Sequence, residues 1–202
     1  MLISYAEMDN KGMLIDLVSE GTSVSGTDLG RVEVESNWDE VLNRFNLSAG
    51  NEKSFDINGT YTPSMKDADI DVQLREFNLG VVKPILSSVF SDMAGYVSGG
   101  VHLYGPLNNL DIESTDGRIQ NAVIVLDFTK VPYRLDGPFR VDTHGLHFDN
   151  VNIRDMYSGT GSVNGSVYYD HFKDLGVDLN VRVSNSMLIN IPEKDNVGFY
   201  GK

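Results

Sequence analysis

The stretch Phe55-Asp-Ile-Asn-Gly-Thr-Tyr61, followed by Asp69-Ile-Asp-Val-Gln-Leu-Arg75, recurs about a hundred residues later in the chain. There it reads Ser162-Val-Asn-Gly-Ser-Val-Tyr168, then Gly176-Val-Asp-Leu-Asn-Val-Arg-Val183. Each copy is an alternating strand with a glycine on its apolar side, a polar turn and a second alternating strand. A repeated strand pair constrains the fold more than any other feature. Each unit exposes an apolar face it cannot bury alone, so copies extend a sheet into an elongated β architecture and do not enclose one special site.

Side-chain parity gives the strands their two faces. Ile70, Val72 and Leu74 point one way and Asp69, Asp71, Gln73 and Arg75 the other. Val177, Leu179, Val181 and Val183 oppose Asp178, Asn180 and Arg182, and Val32 and Val34 alternate with charges in Arg31–Glu35. Met13–Val18, Arg44–Ser48, Val97–Tyr104, Val123–Phe128, Tyr133–Val141 and Val151–Arg154 also read as strands. Asn108-Asn109, Asp116-Gly117, Asp136-Gly137 and Asp149-Asn150 read as the turns between strands. The fold class is mainly β. One short amphipathic helix is expected near 82–93, where Val82, Ile85, Leu86, Val89, Phe90 and Met93 fit a 3.6 period between Pro84 and Gly95. The segment Ser36–Phe45 is compatible with a short helix capped by Ser36 or with strand–turn–strand.

The glycines share the apolar faces: Gly59 with Phe55, Ile57 and Tyr61; Gly165 with Val163, Val167 and Tyr169; Gly99 and Gly105 with Val97, Val101 and Leu103. A single such glycine reads as a bulge or a close sheet contact. Three on one face point to a shallow channel that a ring or an acyl chain could enter.

Composition closes off several chemistries. A formal charge of −13 argues against nucleic acid and anionic membrane surfaces, both of which need a basic face. No cysteine is present, so disulfides, thiolate metal sites and cysteine nucleophiles are excluded. Asp67, Asp69 and Asp71 begin like a calcium loop, but Val72 stands where that loop needs glycine and Asn78 where it needs glutamate. Gly159-Thr-Gly161 with Gly165 leads into a strand and lacks the helix N-terminus of a dinucleotide site. His144 and His147, three apart in strand-rich sequence, face opposite ways, and His102 and His171 stand alone. No nucleophile elbow occurs. The expectation is a protein that is not an enzyme and needs no cofactor or metal.

Asp155-Met-Tyr-Ser-Gly-Thr-Gly161, Val163-Asn-Gly165, His171-Phe-Lys-Asp174 and Val177-Asp-Leu179 together resemble the C-terminal conserved domain of the TamB family, part of the AsmA-like group. Glu193–Gly201 is similar to that family's next unit, which opens on Tyr-Gly, and Gly99-Gly-Val-His-Leu-Tyr-Gly105 to its Gly-x-Val-x-Leu-x-Gly strands. The resemblance covers roughly residues 10 to 201. It implies one 1–202 segment of an elongated, twisted sheet folded into a groove (a β-taco, solenoid-like), with repeat units near 55–76 and 162–184. It also implies a periplasmic location in a Gram-negative envelope and an inner-membrane anchor N-terminal to this segment. Phospholipid or another acyl-chain ligand and a TamA-type outer-membrane barrel would be partners, with roles in lipid transport and outer-membrane protein assembly. The chain itself shows neither a secretory signal nor a long apolar span, and Val197–Lys202 reads as the opening of a further strand, so a piece of a longer protein is expected. The residues expected to line the groove are Ile57, Gly59, Tyr61, Val72, Leu74, Val97, Gly99, Val101, Leu103, Val163, Gly165, Val167, Leu179 and Val181. Two other readings stand beside it. One is a scaffold that binds the β-strands of other proteins at its edge. The other is a β-solenoid enzyme or carbohydrate-binding module, which would need clustered exposed aromatics and paired carboxylates that the spacing does not provide.

Overall fold

A computed structural model of the chain describes residues 2–9, 12–51, 53–84, 90–126, 130–170 and 174–187. Twelve strands form one antiparallel sheet in strict sequence order, each hydrogen-bonded to the strands before and after it. They are β1 (Leu2–Asp9), β2 (Gly12–Val24), β3 (Thr27–Asp39), β4 (Arg44–Asn51), β5 (Phe55–Thr62), β6 (Asp67–Asn78), β7 (Phe90–Pro106), β8 (Asp111–Leu126), β9 (Pro132–Asp142), β10 (Gly145–Asp155), β11 (Thr160–Asp170) and β12 (Asp174–Ser184). β1 and β12 are the two edges of this meander. Laid side by side at about 4.8 Å, the strands extend roughly 50 Å across their own direction.

The two repeat copies occupy equivalent places. β5 and β6 pair as Ile57 with Val72 and Gly59 with Ile70; β11 and β12 pair as Val163 with Val181 and Gly165 with Leu179. Because directly opposed residues share a face, register turns single-strand alternation into rows that cross the sheet. Leu17, Val34, Ala49, Ile57, Val72 and Val101 make one such row, and Leu47, Gly59, Ile70, Leu103 and Ile112 the next. A third, toward the β3–β4 turn, is aromatic: Trp38, Phe45 and Tyr61, ending on Ala68. Trp38 and Phe45 meet edge-on, with ring centroids 4.8 Å apart.

The segment Ser36–Phe45 is strand–turn–strand: β3 runs to Asp39, the Asp39 carboxylate accepts from the Val41 and Leu42 N–H groups at the turn, and β4 begins at Arg44. The helix expected near 82–93 is corrected at both ends. Leu79–Val81 is a single 3-10 turn whose start is capped by the Asn78 side chain, and Val82–Pro84 continue as turn. Phe90–Met93 belong to β7, where Met93 opposes Ile124. Ile85 to Val89 lie outside the described residues. An apolar run of this length satisfies either period, and the apolar end of β8 supplies a partner that local sequence does not reveal.

Three of the four expected turns are also corrected. Asn108-Asn109 does join β7 to β8, but Asp116-Gly117, Asp136-Gly137 and Asp149-Asn150 lie inside β8, β9 and β10. Each sits at a break in pairing register. There a residue with positive φ or an extra unpaired residue bends the strand, as with Asn121 (φ 48°) opposite Asp136 and Asn150 (φ 52°). Side chains satisfy the freed backbone: Asp136 accepts from the Asn121 N–H at 3.2 Å, and the Asn164 side chain from the Asn150 N–H at 2.8 Å.

Candidate apolar face

The apolar rows are unevenly covered. Around β9–β11 they close into a small core of Val131, Tyr133, Val151, Ile153 and Val163, with Ile124, Leu135, Phe148, Leu179 and Met187 packed against it. Val131 and Val151 are fully buried. Val131 comes from the β8–β9 connection and Met187 from the chain just beyond β12, so segments outside the strands complete this cover. The Tyr133 hydroxyl donates to the Met187 carbonyl at 3.1 Å. Ser186 and Met187 are also tied to Asp155 at the end of β10, whose Oδ2 accepts from the Ser186 hydroxyl (2.8 Å) and the Met187 N–H (2.6 Å). Oδ1 of the same carboxylate accepts from the N–H groups of Tyr157 and Gly159 in the following turn.

Over β3–β7 the cover is partial: Val32, Phe55, Ala68 and Met93 are buried, and Phe55 meets the Phe77 ring edge-on at 6.0 Å, but much of the face between them is only half-buried. Ile57, Tyr61, Val72, Leu74, Val97, Val101 and Leu103 all retain partial exposure. Among the described residues no second sheet covers them; the Leu79–Val81 turn reaches back from the end of β6 to the start of β3, where Gly80 lies against the Thr27 hydroxyl. The chain exposes 12884 Å², where a compact monomer of its mass exposes roughly 9,400 Å². That excess is in keeping with one sheet holding all the strands among the described residues.

The expected lining residues therefore divide. Those on β5–β7 lie together on the half-open part of the face. Val163 is a core residue, Leu179 packs against that core, Val167 is half-buried, and Val181 on the edge strand is 48% exposed. The glycines do not open space. A side chain at Gly59 would stand 2.5 Å from the Asp69 carbonyl oxygen and 2.7 Å from the Ile70 Cα. Gly99, at φ 132°, lies against the Gly117 backbone, and Gly165, at φ 120°, against the Asp178 carbonyl. Each glycine is flanked across the sheet by large residues: Leu47 and Ile70 around Gly59, Phe148 and Leu179 around Gly165. Neighbouring side chains and strands occupy the volume a glycine leaves, so close approach is its role here and not the widening of a channel.

The opposite face is polar and cross-linked between strands. Arg75 pairs with Asp56, and His102 reaches Asp69 (3.0 Å) and Glu113 (3.4 Å) across three strands. Asp69 raises the His102 pKa above the usual imidazole value against the opposing effect of desolvation, with Glu113 adding to the rise. His147 contacts Ser166 at 2.7 Å and Asp142 at 2.9 Å, while His144 sits in the β9–β10 turn; His171 lies outside the described residues. Among the described residues no group of three or more histidine or acidic side chains is arranged to hold a metal ion. Sequence reasoning missed the closing residues Val131 and Met187, because both lie outside the alternating strands. The buried Asn51 was missed too: its side chain accepts from the N–H groups of Lys53, Ser54 and Phe55 and so builds the β4–β5 turn. An Asn at the end of an alternating run was the available signal.

No protein-family model, no curated protein and no solved structure matches this chain.

Proposed function

We propose that this chain is a segment of a TamB-like, AsmA-like envelope protein whose apolar face carries phospholipid acyl chains. One observation supports the reading above the rest: the apolar row of Ile57, Val72, Leu74, Val101 and Leu103 stays partly exposed on a single sheet, with no second sheet over it among the described residues. A sheet face of this kind needs apolar cover in water, and acyl chains are long, flexible and undemanding in their contacts. The polar face, laced with ion pairs, stays in water. In this reading Ile57, Val72, Leu74, Val101 and Leu103 touch the chains, and the packed end at β9–β11 is where the trough is stopped. The segment works in the periplasm as part of a protein anchored in the inner membrane, and a TamA-type barrel receives its far end.

Native mass spectrometry of gently purified protein tests this directly, with phospholipid-sized adducts expected. Leu103→Glu should abolish uptake of a fluorescent fatty acid while the circular dichroism of the sheet is kept. Loss of the sheet itself would make this face a filled core and sink the proposal. The second reading, strand addition at an edge, is favoured by β12, the edge strand among the described residues, on which Val181 and Val183 are 48% and 37% exposed. It predicts binding to barrel-derived strands with no lipid retained.

A further inference from the structure

In a meander, alternate turns fall on the same margin of the sheet. The β3–β4, β5–β6 and β7–β8 turns therefore line one margin, about 10 Å apart from one to the next. Each carries large apolar side chains into solvent: Val41 (87% exposed) and Leu42 (53%), Met65 (74%), and Leu107 (51%). Solvated turns favour polar residues, and exposure this high has no packing role within the chain.

These tips are held in place by hydrogen bonds. Asp39 accepts from the N–H groups of Val41 and Leu42, at 2.9 and 3.0 Å. The Met65 N–H donates to the Thr62 carbonyl. The Leu107 N–H donates to the Lys66 carbonyl at 3.0 Å, which ties one turn to the next. On that margin the apolar run stops at the β9–β10 turn, which presents Thr143 and His144. Met156 and Tyr157, the other strongly exposed apolar pair, lie on the opposite margin and form no such line.

We propose that this margin docks on the surface of a neutral, zwitterionic phospholipid bilayer. Three tips in a line match a flat, laterally uniform apolar target, since a pocketed protein partner would select one tip and not a row. Trp38, Phe45 and Tyr61 stand on the strands just behind the tips, about 10 Å back along β3 for Trp38. That is the depth at which aromatic rings favour the headgroup region when apolar tips enter the acyl boundary. Charge selects the lipid. Asp39, Glu40, Asp67 and Asp111 outnumber Arg44 and Lys66 around these turns, and the whole chain carries −13, so an anionic surface repels this margin. The inference goes beyond acyl-chain carriage by the sheet face and stands on different residues.

Trp38 is the only tryptophan, which makes it a built-in reporter. The full chain is floated with phosphatidylcholine vesicles, and Trp38 fluorescence is read with brominated phosphatidylcholine. Wild type should float and be quenched, more weakly as phosphatidylglycerol is added. Val41→Asp should weaken flotation roughly tenfold or more. The combination Val41→Asp, Leu42→Ser, Met65→Ser and Leu107→Ser should abolish it with circular dichroism and fluorescent fatty-acid uptake unchanged. Leu103→Glu should show the converse, so failure of lipid carriage is told apart from failure of docking. Flotation of the combined variant like wild type overturns the proposal, as does stronger binding to anionic vesicles. Wild type that stays off vesicles but forms dimers lost in the combined variant overturns it in favour of a second copy of this chain.

Discussion

Asp155 uses both carboxylate oxygens at once, one to shape the β10–β11 turn and the other to hold Ser186 and Met187 beside the core. Desolvation raises its pKa, but the hydrogen bonds from Met187, Ser186, Tyr157 and Gly159 outweigh it and hold the carboxyl at about 2. A group depressed in the folded state stabilises fully above its unfolded pKa. That contribution is lost as pH falls from about 4 through about 2, the folded value. Hydrogen exchange should therefore show the Met187 amide protected near neutrality and progressively unprotected across that acid range. Asp155→Asn keeps one acceptor for the turn but faces the Ser186 and Met187 donors with an amide NH2. Its Met187 amide should exchange rapidly at every pH, and protection equal to wild type would remove this clasp from the account. Asp155 was visible in the sequence only as part of a motif. Its partners arrive from beyond β12, a separation no local pattern encodes.

At the scale of elements, strand identity was legible and strand interruption was not. Alternation in Asp69–Arg75 or Val177–Val183 fixes the face of every residue, and the register follows it. Asp116-Gly117, Asp136-Gly137 and Asp149-Asn150 have the composition of turns because bulges and turns ask for the same backbone freedom. Only the partner strand decides between reversing the chain and bending it. Gly117 shows the constraint. A Cβ there would lie 2.6 Å from the Phe139 ring and 2.8 Å from the Phe139 carbonyl oxygen. Gly117→Ala should cost about 1–3 kcal/mol of stability in denaturant unfolding. Phe139→Leu in the same chain should recover part of that loss, because the ring is the movable half of the clash. Strictly additive losses would show that the carbonyl contact dominates.

Across the whole molecule the repeat predicts more symmetry than the sheet displays. The two copies agree in register and in the placing of Gly59 and Gly165, yet one lies on a half-open face and the other borders a packed core. The difference comes from what closes each end: Val131 and Met187 complete a packed cluster over β9–β11, whereas over β3–β7 the Leu79–Val81 turn reaches only the start of β3 and leaves Ile57, Val72 and Val101 partly exposed. Alternation assigns a residue to the apolar face but is silent on what lies above it, so the candidate site was legible as a surface and not as a depth. Ile57 and Ile153 make a matched test: one residue type on the apolar side of one sheet, with Ile153 only 7% exposed and Ile57 half-buried. In lipid-free protein Ile153→Ala should cost about 2–5 kcal/mol by transfer and cavity terms. Ile57→Ala should cost roughly half as much or less, since water already reaches part of that side chain. Adding phospholipid should widen the penalty at Ile57 and leave Ile153 unchanged, because a ligand stabilises only through groups it touches. Equal penalties without lipid would mean that something else covers β5, and would return the face to an ordinary core.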